Sequence, residues 1–148
     1  MISYLVGWLN QQSLLVAHNQ EFTREWWSTR RTSYQLFSST VAVNEAMKGD
    51  TSLAEERLRF LSEATLLDVN DAATALAFEL LRHTRMPTKA DVDALHVAIA
   101  AVHGMDYLIS WNCKHIVNAN ILPQVYAACR SAGYEPPLIC TPLELLEP

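Results

Sequence analysis

Apolar residues along this chain alternate between helical spacing and short continuous runs. Leu14, Leu15, Ala17, Phe22 and Trp26 recur at helical spacing, which predicts an amphipathic helix from about Ser13 to Arg31. Tyr34 to Ser38 is a short strand candidate, and Ser39 or Thr40 can cap a helix carrying Val41, Val43, Glu45 and Met47 that stops at Gly49. Ser52-x-x-Glu55 has the form of a capping box before a helix to about Leu61. Thr65 to Val69 is a second strand candidate, and Asn70 opens a helix to about His83. After Pro87, Thr88-x-x-Asp91 is a further capping box, predicting a helix from about Lys89 to His103 that stops at Gly104. Tyr107 to Ser110 is an apolar strand, Ile121 to Ser131 a helix stopped by Gly133, and Leu138 to Thr141 the last strand, with Pro142 starting a short closing turn. Helices alternating with short apolar strands predict an α/β fold, a small parallel sheet of four to five strands with helices on both faces.

Composition narrows the class. The 148 residues are enough for one domain with a single core, and 50% hydrophobic with 18% charged is a globular profile. No apolar run approaches the roughly 18 residues of a membrane span. The start, Met1-Ile2-Ser3-Tyr4-Leu5, lacks the basic segment and cleavage site of a secretory signal. Cys113, Cys129 and Cys140 have no CxxC spacing and read as reduced thiols of a cytoplasmic protein. The net charge of −5 argues against strong nonspecific attraction to nucleic acid. It leaves room for nucleic-acid chemistry at carboxylates filled by divalent cations.

Three residues are the candidates for chemistry. Asp93 lies near the start of the helix before the strand Tyr107 to Ser110, Asn112 lies just past that strand's carboxyl end, and Glu45 lies on the helix after Tyr34 to Ser38. In open α/β sheets ligands bind beyond the carboxyl ends of the strands, and a doubly wound sheet can converge all three there. Carboxylates at such a rim suit Mg²⁺ or Mn²⁺, which take oxygen ligands and keep several waters. The plain alternatives are a solvated surface charge for Glu45 and a helix-dipole partner for Asp93, although Asp91 serves the dipole better. His96 reads as a hydrogen-bonded helix residue rather than a ligand, since no second soft ligand is spaced for zinc. Lys114 and His115, beside Asn112, are placed to touch substrate phosphate. Arg24-Glu25-Trp26-Trp27-Ser28-Thr29-Arg30-Arg31 mixes basic and aromatic residues. It could stack bases and hold phosphates, but the favoured reading puts the tryptophans in the core or at a dimer contact and the arginines in solvent.

The run D-A-L-H at Asp93 to His96, followed by H-G-M-D-Y-L-I-S-W-N-C-K-H from His103 to His115, resembles the PIN-domain family. The match is to a bacterial branch similar to the toxin ribonucleases of toxin–antitoxin pairs. R-E-W-W at Arg24 to Trp27, V-N-E at Val43 to Glu45 and Y-E-P-P-L-I-C-T-P at Tyr134 to Pro142 extend the likeness over nearly the whole chain. The resemblance implies a PIN-like single domain over residues 1–148, with a rim of acids holding Mg²⁺ or Mn²⁺ for RNA cleavage. The partners it implies are RNA, an antitoxin protein and a second copy of the chain. Glu45 matches the family's second acidic position and Asp93 its third, so these two are the expected metal ligands. The position after the strand is usually the aspartate of a T-x-D pattern; here it is Ser110-Trp111-Asn112. Asparagine offers a carbonyl oxygen without charge, which predicts weaker cation binding, but the branch often carries Asn there.

The family's first acid ends an opening strand just before a segment like I-S-Y-L, and this chain starts at that segment. The expectation is therefore a domain lacking the first, central strand, through a late start or as a shortened and impaired version. Two functions remain open: a metal-dependent endoribonuclease using Glu45, Asp93 and Asn112, or a catalytically silent scaffold that binds RNA or a protein partner. A flavodoxin-like nucleotide binder is disfavoured, because the four glycines lie too far apart to form a phosphate loop.

Overall fold

The computed structural model describes residues 4–5 and 14–146, which form six helices and four short strands. They divide into two compact units. The first comprises the described residues up to Leu66 and from Thr141 on; the second is the continuous stretch Leu67–Cys140.

In the first unit, α1 (Leu14–Thr29) buries Gln20, Thr23 and Trp26 along one stripe. Ser13, the predicted start of this helix, and the opening residues other than Tyr4 and Leu5 lie outside the described residues. The strand β1 (Phe37–Ser39) begins later than Tyr34, and Ser39 then caps α2 (Thr40–Ala46) by accepting from the Ala42 N–H at 3.2 Å. The cap of α3 (Thr51–Leu61) is Asp50, not Ser52: its extended backbone lets the carboxylate accept from the Leu53 N–H at 3.1 Å, starting the helix ahead of the Ser52–Glu55 pair. Arg57 on α3 closes the end of α2 by donating to the carbonyls of Ala46 and Lys48 at 2.9 and 2.5 Å. Strand β2 (Thr65–Leu67) follows and pairs with β1.

The second unit is built on two helices with matched buried stripes. Asn70 caps α4 (Asp71–His83) as the pattern predicts, accepting from the Ala73 N–H at 2.9 Å. Ala73, Leu76, Ala77 and Leu80 then face inward at i, i+3, i+4, i+7. The next helix, α5 (Asp91–Val102), starts later than Lys89, and Thr88 does not cap it: the Ala90 N–H bonds the Pro87 carbonyl at 2.9 Å, so the chain turns once before the helix begins. Ala94, Val97, Ala98 and Ala101 are its buried stripe, and these small residues let α5 lie close against α4. Gly104, at φ +69°, ends α5: its N–H bonds the Ala101 carbonyl, and Met105 N–H bonds Ala100. That left-handed turn is the reason for a glycine there.

The chain then enters β3 (Tyr107–Ile109), crosses through α6 (Leu122–Ser131) and returns as β4 (Leu138–Cys140), parallel to β3 with Leu108 opposite Ile139. Val125 and Cys129 of α6 and Ile139 of β4 complete the core around α4 and α5. The Tyr126 hydroxyl accepts from the Ile139 N–H at 3.0 Å, fixing α6 to β4.

The fold is mixed α/β, as predicted, but the described strands hydrogen-bond as two separate pairs, β1 with β2 and β3 with β4, rather than as four to five strands of one sheet. Periodicity identifies strands; it carries no information on which strands pair. No described helix is long and apolar enough to cross a membrane.

Leu80 is fully buried between α4 and its neighbours. Leu80→Ala is expected to destabilise the second unit by about 2–5 kcal/mol, read as a lower urea midpoint with an unchanged slope. A loss below about 1 kcal/mol would contradict its place in the core.

Candidate functional site

Beyond the carboxyl end of β3 the chain runs Ser110-Trp111-Asn112 into a tight turn at Cys113 to Ile116. Side chains hold this turn. The Ser110 hydroxyl accepts from the Asn112 N–H at 3.0 Å, and the Asn112 Oδ1 accepts from the His115 N–H at 3.1 Å. The Asn112 carbonyl takes the N–H groups of Ile116 and Val117 at 3.0 and 2.8 Å. Asparagine favours such turns because its short side chain reproduces a backbone acceptor.

Asp93 approaches this turn from the first turn of α5. Its Oδ1 accepts from Asn112 Nδ2 at 3.0 Å, and its Oδ2 lies 2.8 Å from His115 Nδ1. An ionised carboxylate only accepts, so the proton on that contact belongs to His115 Nδ1. The opposite ring nitrogen, Nε2, has no partner among the described residues. Both side chains are about four-fifths shielded, 24% exposed for His115 and 20% for Asp93. Hydrogen bonds to a charged group in such surroundings contribute about 1.5–3 kcal/mol each.

Asp93, Asn112 and His115 thus come together beyond the carboxyl end of β3. Lys114 is exposed on the same turn, its carbonyl accepting from the Asn118 side-chain amide at 3.1 Å. Glu45 belongs to the first unit, where it is an exposed residue in the last turn of α2. Among the described residues, no group of three or more His, Cys, Asp or Glu side chains is gathered to hold a metal ion. His96 is partly buried on α5. The direct contact of His115 with Asp93 and the role of Ser110 went unpredicted. The readable signal was the spacing Ser-x-Asn-x-x-His, which lets one asparagine organise a turn and present a histidine.

The basic and aromatic segment of the first unit is structural. Trp26 is fully buried and tilts against Tyr34 at 5.7 Å between centroids, while Trp27 meets Phe60 edge-on at 5.1 Å. The arginines are not merely solvated as expected: Arg30 donates twice to the Leu146 carbonyl, at 3.0 and 2.7 Å. Arg31 lies over the Trp27 ring and pairs with Glu63. A guanidinium finds both a π face and a carboxylate there, so its charge is held within the fold.

No family model matches this chain, and no curated protein or solved structure is significantly similar to it.

The three thiols differ sharply. Cys113 is exposed on the site's turn, whereas Cys129 and Cys140 are buried. Burial pushes the Cys129 thiol up to about 11, so at pH 8 it carries almost no thiolate, the reactive form. Iodoacetamide at pH 8 is expected to label only Cys113 in the native protein and all 3 cysteines in urea, measured by peptide mass spectrometry. Native labelling of Cys129 at the rate of Cys113 would contradict its burial.

Proposed function

We propose that this protein is a metal-dependent endoribonuclease on a PIN-like scaffold, with Asp93 at the centre of its site. The observation that carries the reading is the cluster of Asp93, Asn112 and His115 beyond the carboxyl end of β3. The resemblance of Asp93 to His96 and His103 to His115 to PIN toxin ribonucleases supplies the substrate class, and with it an antitoxin protein and a second copy of the chain as partners.

The donor set fits Mg²⁺ or Mn²⁺ in kind. Asp93 offers hard carboxylate oxygens, and Mg²⁺ is commonly held by one or two carboxylates, with waters and substrate phosphate completing its shell. Such a cation supplies an activated water and stabilises the leaving oxygen of a phosphodiester. The protein's own part is to hold Asp93 in place and to meet the substrate's negative charge. Lys114 is an exposed cation on the same turn, with no ion partner among the described residues. It suits a phosphate oxygen.

The silent-scaffold reading is favoured by one observation, the lack of a gathered three-ligand group among the described residues. One experiment separates the two. Purified protein is incubated with labelled RNA in Mg²⁺, Mn²⁺ or EDTA, beside Asp93→Asn. Cleavage that needs the cation is expected. Asp93→Asn should lower it by more than the roughly 10- to 100-fold that loss of an outer-shell partner costs. Equal cutting by the variant and its parent would remove Asp93 from the chemistry; no cutting by either would leave the scaffold reading.

A further inference from the structure

Asn112 occupies the position where the resembled pattern has an aspartate, and that resemblance makes it look like a weakened cation ligand. Its atoms are used otherwise. The Oδ1 is occupied by the His115 N–H and the Nδ2 points at Asp93 Oδ1. The His115 ring, set by that same turn, takes Asp93 Oδ2. One side chain therefore closes a ring of three hydrogen bonds through Asn112, His115 and Asp93. Its amide allows this, because it accepts with one end and donates with the other. An aspartate at 112 would satisfy the His115 N–H but place a second carboxylate about 3.0 Å from Asp93 with no proton between them.

We infer that Asn112 and His115 are positioning residues that clamp Asp93 in one orientation toward a divalent cation, and that Asn112 is an amide donor by design rather than a lost ligand. The inference rests on the reading of Asp93 as a cation-holding residue. Each carboxylate oxygen keeps a second lone pair beyond the one facing its N–H donor. The clamp therefore leaves Asp93 able to bind while removing its freedom to rotate. Outer-shell partners of this kind fix ligand orientation, and their loss typically lowers metal affinity 10- to 100-fold.

The test is Mn²⁺ titration by calorimetry on the full chain and on Asn112→Ala, Asn112→Asp, His115→Ala and His115→Asn, with thermal melts to confirm folding. Asn112→Ala and His115→Ala are expected to weaken Mn²⁺ binding by about 10- to 100-fold. His115→Asn, whose amide nitrogen falls near the position of Nδ1, should recover most of that loss. Asn112→Asp should bind no tighter than the parent. In the metal-free protein, the Asn112 side-chain amide resonance should move on Asp93→Ala. Tighter Mn²⁺ binding by Asn112→Asp, or alanine variants that bind as the parent does, would overturn the clamp while leaving the cation reading intact. A parent chain that binds no Mn²⁺ overturns the cation reading and this inference with it. A variant that fails to melt cooperatively is replaced by the amide resonance, whose indifference to Asp93→Ala also overturns the clamp.

Discussion

A largely shielded carboxylate needs donors, and in this protein Asp93 finds two within one turn of chain. The Asn112 amide and the His115 ring reach opposite oxygens of the same group. Leaving such a charge unsatisfied would cost several kcal/mol. The turn after β3 and the start of α5 must therefore stay in register for the second unit to keep its form. The site and the local fold depend on the same contact.

What brings those two segments together is packing. The alanines of α5 allow it to settle against α4, and Gly104 then ends the helix and turns the chain toward β3. β4 adds the parallel partner, and α6 covers the pair through Val125 and Cys129. Each of these elements has short strands or small side chains, so close approach matters more than the bulk of any one residue. Trp26 and the arginines just after α1 do comparable work in the first unit, where large rings and the Arg31–Glu63 ion pair fill space that alanines fill in the second.

Much of this was legible from the sequence. Asn70 as a helix start, the helices α4 and α5, Gly104 and Gly133 as stops, and Asp93 near Asn112 all follow from local chemistry. Such features depend on a few neighbouring residues. Two capping boxes misled, because Asp50 and the turn at Pro87 to Ala90 compete with Ser52 and Thr88 for the same helix starts. The division of the strands into two pairs was not readable, since each strand is three residues long and its partner is chosen by distant packing. The bond from His115 to Asp93 lay between the two cases. The turn was local, but the direction of the ring depended on where α5 ran.

The second unit is one unbroken stretch of chain, whereas the first is assembled from segments on either side of it. The Asp93 contact itself links residues 93 and 115, a short loop with a modest closure entropy. The carboxylate, its amide and its imidazole thus all come from one continuous stretch of chain, and closing their contact orders no residue of the first unit.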